Sequence, residues 1–411
     1  MDAAPPARPA GARPARRLSA NLDGVSGSET LRIAGLAAGM RARGAPVVSL
    51  GAGEPDFPTP AHIREAGIEA IRSGRTRYTP TAGIPELRAA IAAKLERENG
   101  IACGPECVVV TVGAKQAIFH ACLALFGPGD EVLVPAPYWV SYPAMVRLAR
   151  AVPVPVPAAD PSGKVTVTEL EAATTPRTRG LLLNSPANPT GAVYGERELA
   201  AIADFCAARD LWVVSDEIYE RLCYVRPSAP SIAAVNDGAR ARTVTVNGFS
   251  KAFAMTGWRI GYAAAPPAVA QALETVQSHS TSNCSSVSQH AALAALVQRE
   301  ASEAAVTAMR DEFRRRRDRL VEGLDGIPGV VSTVPDGAFY VFTDLREILG
   351  GEAPGAADAF CERLLREHAL ALVPGGAFGA EGRVRWSFAA SDRELREGVE
   401  RFRRAVLGPE G

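Results

Sequence analysis

Leu211-Trp212-Val213-Val214-Ser215-Asp216-Glu217-Ile218-Tyr219 is a short apolar run that stops abruptly at two acids. It shows no period of two, which is the pattern of a strand buried on both faces, as in a parallel sheet. Val108–Val112, Glu131–Val134, Leu181–Leu183, Thr243–Val246 and Ile260–Ala264 have the same build. Helical stretches such as Ala114–Leu125 and Glu196–Arg209 lie between them. The alternation predicts an α/β domain with a mainly parallel sheet. After about residue 300 a long Arg/Glu-rich helix runs to about Leu324. Ala338–Phe342, two further helices and the strand Val384–Phe388 follow, which predicts a smaller α+β domain. No internal repeat is present.

The chain has 411 residues, 47% hydrophobic and 22% charged. At roughly 150 residues per domain this fits two or three domains with a large core. Basic and acidic residues number 45 each. Zero net charge gives no long-range attraction to nucleic acid or to an anionic membrane. No apolar run reaches the ~18–20 residues of a membrane span. Residues 1–20 are rich in Ala, Pro and Arg without an apolar centre, so neither a secretory signal nor an amphipathic transit helix is expected, and a disordered extension is. Seven scattered cysteines and five isolated histidines suggest no metal site and no disulfide framework, only reduced thiols in a cytoplasmic protein.

Only four of the 45 basic residues are lysines: Lys94, Lys115, Lys164 and Lys251. Where arginine serves for plain charge, a retained lysine invites a question about its amine. Lys94, on a helical face within 87–99, and Lys164, in a turn, are expected to be surface charges. Lys251 is not, because it sits among Gly248, Phe249, Phe253, Met255 and Trp258.

Polar clusters follow four of the strands: Gly113-Ala114-Lys115, Asn184 to Gly191, Asp216 to Tyr219, and Gly248-Phe249-Ser250-Lys251. Ligands of open α/β sheets bind outside the carboxyl ends of the strands, so the four clusters predict one site. A lysine in apolar surroundings can bond covalently to an aldehyde, since burial lowers the pKa of its amine. An Asp closing a buried strand can pair with a cation. A glycine-led turn into a helix presents free amides to a phosphate, and Trp139 offers a flat face. Each feature alone has a plainer reading: Asp216 as a helix cap, Trp139 as core, Asn188-Pro189-Thr190-Gly191 as a turn. Together they describe a site for pyridoxal phosphate (PLP), whose aldehyde, ring nitrogen, phosphate and ring need these four things. Gly51-Ala52-Gly53 is no dinucleotide fingerprint, and there is no Walker loop or nucleophile elbow.

From about Leu31 to Phe402 the chain resembles the fold-type I PLP-dependent aminotransferases, most closely the bacterial aspartate aminotransferases. The resemblance is carried by Gly53-Glu54-Pro55-Asp56-Phe57, Tyr78 before Ala82 to Arg88, Tyr138 to Pro143, Asn188 to Gly191, Ser215 to Tyr219, and Ser250-Lys251 through Trp258-Arg259-Ile260-Gly261-Tyr262. It implies a mainly parallel seven-stranded sheet with helices on both faces. It also implies an extension over 1–20, an N-terminal arm and part of the small domain over 21–58, a large PLP-binding domain over 59–300 and a C-terminal small domain over 301–411. A homodimer is implied too. Lys251 would carry the cofactor and move a proton, Asp216 would face the ring nitrogen, and Tyr219 and Asn188 the phenolic oxygen. Trp139 would stack on the ring. Ser250, Arg259 and the amides of Gly113, Ala114 and Lys115 would hold the phosphate, with Tyr78 of the neighbouring subunit. Arg385 would clamp the substrate α-carboxylate, Gly53 would contact the same group through its backbone, and Trp139 and Asn188 would also meet the substrate. Gly113-Ala114-Lys115-Gln116 matches the aspartate-using subgroup, where the lysine reads the distal carboxylate. Thr30 stands where, with this lysine, some relatives use prephenate. Pro58, Cys284, Gly376 and Phe388 depart from the family pattern, and several of them are expected to line the substrate mouth. The implied reaction moves an amino group between aspartate or glutamate and a 2-oxo acid. The alternatives are a transaminase for prephenate, aromatic or specialised substrates, a PLP lyase, and a non-catalytic sensor for which no effector module is left over.

Overall fold

The structure is a computed structural model describing residues 19–408; most of the expected N-terminal extension, residues 1–18, lies outside that range. Seven strands form the main sheet: β1 (Val108–Thr111), β2 (Glu131–Ala136), β3 (Val152–Pro157), β4 (Thr178–Asn184), β5 (Trp212–Asp216), β6 (Thr243–Gly248) and β7 (Gly261–Ala264). Their order is β1-β7-β6-β5-β4-β2-β3. Only β7 runs against its neighbours, so the sheet is mainly parallel as expected.

The absence of a period of two has a direct cause in packing. Leu181 and Leu183 of β4 enter one apolar cluster with Leu199, Ile202 and Cys206 of the helix Glu196–Ala208. Leu182, between them, enters another with Ala117 and Ala121 of the helix Ala114–Leu125. Each fully buried leucine contributes about 1.5–3 kcal/mol relative to exposure, and here both faces of the strand collect it.

The sequence reading missed β3, Val-Pro-Val-Pro-Val-Pro. Proline normally argues against a strand because it has no N–H to donate. The register explains the exception: β3 is an edge strand paired only with β2, and its three prolines alternate along it. The N–H groups missing at alternate positions share one side of the strand, and an edge needs donors on the other side only.

A helix from Arg299 to Leu324 leads to a smaller α+β part. There Val373–Pro374, Arg383–Ser387, Tyr340–Asp344 and Val331–Ser332 make an antiparallel four-stranded sheet in that order. Helices Ala356–His368 and Asp392–Leu407 pack with it around Trp386 and Phe402, whose rings meet edge-on at 5.0 Å. The N-terminal segment joins this part through Val48–Ser49, which pairs in parallel with Leu370–Ala371. Among the described residues no helix is long and apolar enough to cross a membrane.

Candidate active site

The carboxyl ends of β4, β5 and β6 and the turn after β1 converge on a cavity of about 490 Å³. Asp216 and Asn188 line it, as do Tyr219, Ser250, Lys251 and Arg259. Ala114, Lys115 and Trp139 line it too, as do Gly53 and Arg385. Convergence follows from topology, because parallel strands send all their carboxyl ends to the same edge.

Lys251 is half-buried and opens onto the cavity; its Nζ donates to the carbonyl of Gly53. Burial lowers its pKa to about 8, with Glu54 working against the shift and Arg385 and Arg259 adding to it. Asp216 is buried, and its Oδ2 accepts from the hydroxyl of Tyr142 at 2.7 Å while its Oδ1 accepts from the Ile218 amide at 3.2 Å. Burial raises its pKa to about 6, with the Tyr142 and Ile218 hydrogen bonds and the Lys251 charge pulling the other way. A buried carboxylate in this position lacks a strong cationic partner, which the protonated ring nitrogen of PLP would supply.

Gly113 has φ +80°, and the helix Ala114–Leu125 begins directly after it. Its unpaired first-turn amides and the guanidinium of Arg259 make an anion cradle. Arg259 donates to the Thr256 carbonyl at 2.9 Å and passes so close that a Cβ on Gly113 would lie 2.9 Å from its Nη2. A Cβ on Gly261 would stand 2.6 Å from the Ala114 nitrogen. The cradle requires glycine at both places. Lys115 Nζ lies 4.8 Å from the centre of the Trp139 ring, and burial followed by the Arg259 charge lowers its pKa. These features fit a phosphate, a ring nitrogen and an aldehyde together.

Arg385 is buried, 1% exposed. It donates to Asn188 Oδ1 at 2.9 Å and to the Gly51 carbonyl at 2.8 Å, and its guanidinium lies 4.3 Å from the centre of the Tyr340 ring. Among the described residues no carboxylate pairs with it, and its Nε has no hydrogen-bond partner. A buried cation without an anion is costly, so this geometry calls for a carboxylate from outside the chain. Gly53 is held clear for that approach: a Cβ there would sit 3.2 Å from Tyr340 Oη.

Sequence reasoning missed three organising residues. Tyr142 holds Asp216. Tyr340 bonds the hydroxyl of Tyr219 at 2.8 Å. Asn184 accepts from the Asn188 amide at 2.8 Å and donates to the Asp216 carbonyl at 2.8 Å. Tyr142 and Asn184 lay inside the motifs above; Asn188 is only four residues from Asn184, but Asp216, which both reach, is 74 and 32 residues away and leaves no local signal. Ser28, Leu31 and Glu54 also line the cavity, with Thr30, whose Oγ1 is buried without a partner. Tyr78 is not brought to this chain's cavity; it is 93% exposed.

Two expectations need correction. Pro58, Cys284, Gly376 and Phe388 do not line the cavity. Cys284 and Phe388 are core residues, drawn inward by their apolar side chains. Lys94 is not a surface charge: it is 6% exposed and its amine pairs with the equally buried Glu220. The helix Pro85–Lys94 gives way to a π-turn, Leu95–Asn99, and Asn99 donates to the same carboxylate. Lys164 makes a partly exposed ion pair with Glu198 at 2.8 Å.

The family model of aminotransferase class I and II matches residues 45–402. A probable aspartate/prephenate aminotransferase of Thermus aquaticus is 47% identical, covering 95% of this chain and all of that one. A bifunctional aspartate aminotransferase and glutamate/aspartate-prephenate aminotransferase of Petunia hybrida is 48% identical over 95% of this chain and 83% of its own length. The solved structure of aspartate aminotransferase from Thermus thermophilus with maleate has a TM-score of 0.90 at 46% identity, covering 95% of this chain and 100% of that one.

Proposed function

The chain belongs to the aminotransferase class I and II family, and from that premise we propose that it is a PLP-dependent enzyme exchanging an amino group between aspartate or glutamate and the matching 2-oxo acid. PLP, when bound, supplies an electron sink for the carbanion formed at the substrate α-carbon. Lys251 would hold its aldehyde, Asp216 its ring nitrogen, and Asn188 and Tyr219 its phenolic oxygen. Trp139 would cover the ring, and Gly113, Ala114, Lys115, Ser250 and Arg259 would hold its phosphate.

The observation that carries the substrate reading is a pair of cations lining one cavity that, among the described residues, have no acid partner: buried Arg385, and Lys115 over Trp139. Arg385 takes the α-carboxylate through charge-assisted hydrogen bonds, and Lys115 takes the distal one. That fixes the α-carbon between them and opposite Lys251. With its pKa lowered to about 8, the Lys251 amine is partly neutral close to physiological pH, and with PLP bound it would take a proton from the substrate α-carbon and give it to the carbon that was the cofactor's aldehyde. A second reading, prephenate as amino acceptor, is supported by Thr30, which lines the same cavity as Lys115, and by the names of the relatives. The exposure of Tyr78 supports a homodimer in which it completes the partner's phosphate site. Seven unpaired cysteines support a reducing, cytoplasmic setting.

Steady-state assays of the PLP-loaded enzyme with aspartate, alanine and phenylalanine as donors test the reading. Lys115→Ala should raise the aspartate KM by about tenfold or more, as expected for one lost charge-assisted hydrogen bond, and leave the other two nearly unchanged. Equal effects on all three donors would remove Lys115 from substrate recognition. Loss of all turnover in Lys251→Ala is required; retained turnover would overturn the mechanism.

A further inference from the structure

Between the strand Val48–Ser49 and the helix Ala61–Arg72 the chain runs without regular structure. It leaves the smaller part, where Val48–Ser49 is paired, and reaches the main sheet, where Ile63 packs with Val108 and Val110 of β1. On the way Gly51, Ala52, Gly53 and Glu54 line the active-site cavity. Among the described residues no backbone–backbone hydrogen bond involves any residue of 51–59. A segment without ladder or turn bonds is only as well placed as its side-chain anchors make it.

These anchors fall into two groups. Arg385 donates to the Gly51 carbonyl at 2.8 Å, and Lys251 donates to that of Gly53. Both are groups that the proposed chemistry gives to a ligand, Arg385 to the α-carboxylate and Lys251 to the PLP aldehyde. Neither is left free to hold the segment in the loaded enzyme. The second group is claimed by neither. The Thr256 hydroxyl donates to Glu54 at 2.9 Å, and the Thr59 hydroxyl donates to the Ala254 carbonyl at 2.7 Å. Asp56 accepts from Arg316 Nη1 through both carboxylate oxygens, at 2.7 and 2.9 Å.

The Arg316 anchor is the most elaborate. Arg316 is 8% exposed and lies on the helix Arg299–Leu324 that leads to the smaller part. Its guanidinium is 5.2 Å from the centre of the Phe57 ring and 5.8 Å from that of Phe313, and the two rings meet edge-on at 5.3 Å. Its Nε donates to Glu312, one turn back, at 2.8 Å. Phe313 itself belongs to the core of the smaller part. A planar guanidinium can meet a carboxylate at its edge and a ring at its face, so one side chain fixes both Asp56 and Phe57 to the helix.

We propose that Arg316 is a positioning residue for the substrate: through Asp56 and Phe57 it holds residues 51–54 so that the Gly51 carbonyl orients Arg385 and Gly53 stays beside the approaching carboxylate. It does not line the cavity and acts only through the segment. The proposal rests on the reading of Arg385 as the carboxylate clamp. Because the carboxylate is the same in substrate and transition state, displacing the segment should weaken binding and spare turnover.

Asp56→Asn, Arg316→Met and the double variant test this in the PLP-loaded enzyme. Methionine keeps an apolar stem between the rings, and Asp56, whose side chain is 31% exposed, is replaced at little risk to folding. Calorimetry measures the affinity for succinate, a dicarboxylate without an amino group. Aspartate KM and kcat are taken per mole of bound PLP, so unfolded chains are not counted, and fluorescence titration gives the affinity for PLP. In both single variants the succinate Kd and the aspartate KM should rise at least about fivefold, with kcat and PLP affinity changed by less than about threefold. The double variant should be no worse than the weaker single one, since both substitutions break the same contact. Unchanged succinate binding, additive losses in the double variant, or an equal loss of PLP and succinate affinity would overturn the proposal. Arg385→Ala is the control. If it leaves succinate and aspartate binding unchanged, the clamp reading fails and takes this proposal with it; if it weakens both while Asp56→Asn does not, this proposal alone falls.

Discussion

Tyr142→Phe should make cofactor binding depend on the ionisation of Asp216 in a pH range where the native carboxylate is already ionised. The lost hydroxyl donates to Asp216 Oδ2 at 2.7 Å, and both groups are buried. A hydrogen bond to a charged group is worth about 1.5–3 kcal/mol, and 1.36 kcal/mol corresponds to one pKa unit. In the cofactor-free chain burial already holds Asp216 at about 6; without the hydroxyl it should rise to roughly 7–8. Only the ionised carboxylate can pair with the cationic ring nitrogen, so affinity falls as pH drops through that value. At pH 7 a group of pKa 6 is about nine-tenths ionised and one of pKa 7–8 about half to one-tenth, which gives roughly two- to tenfold weaker PLP binding. At pH 9 both carboxylates are ionised and most of the difference should vanish. Fluorescence titration of the cofactor-free protein with PLP at pH 6, 7, 8 and 9 measures this directly, and the ratio of the two proteins at each pH divides out the titration that Lys251 contributes to both. Equal weakening at every pH, or none, would refute the reasoning.

Lys94→Ala strands the buried Glu220 carboxylate and should cost about 3–5 kcal/mol, the usual loss when one partner of a buried pair is removed. Lys164→Ala, at a partly exposed pair, should cost no more than about 1 kcal/mol. Urea unfolding of the two variants at equal cofactor loading compares them, and similar midpoints would contradict the burial of Lys94. Gly261→Ala would place a Cβ 2.6 Å from the Ala114 nitrogen and 2.8 Å from the Gly113 carbon. The phosphate cradle must then shift, so PLP affinity should fall by about tenfold or more, consistent with the ~1–3 kcal/mol of overpacking, while far-ultraviolet circular dichroism stays native. Unchanged affinity for PLP would show that the cradle does not need that close approach.

Much of the site could be read from the chain because it is built from local order. A residue that directly follows a buried parallel strand is delivered to the carboxyl edge of the sheet whatever the rest of the fold does. Lys251, Asp216, Asn188 and Lys115 all have that address, and the scarcity of lysine marked two of them. What local order cannot contain is the partner of a side chain. Arg385 reaches the carbonyl of Gly51 across 334 residues of sequence, Tyr142 reaches Asp216 across 74, and Tyr340 reaches Tyr219 across 121. Lys94 shows the same limit from the other side. Its helical neighbourhood predicts a surface charge, but the burial of its amine depends on Glu220, 126 residues away, and on a π-turn that no local pattern announces. The prolines of β3 were misread for want of one tertiary fact, that the strand lies at an edge. The sequence by itself therefore determined six of the seven strands of the main sheet and the edge on which the chemistry collects. Only the tertiary structure decided which charges are paired and which are left free for a ligand, because those depend on contacts between segments remote along the chain.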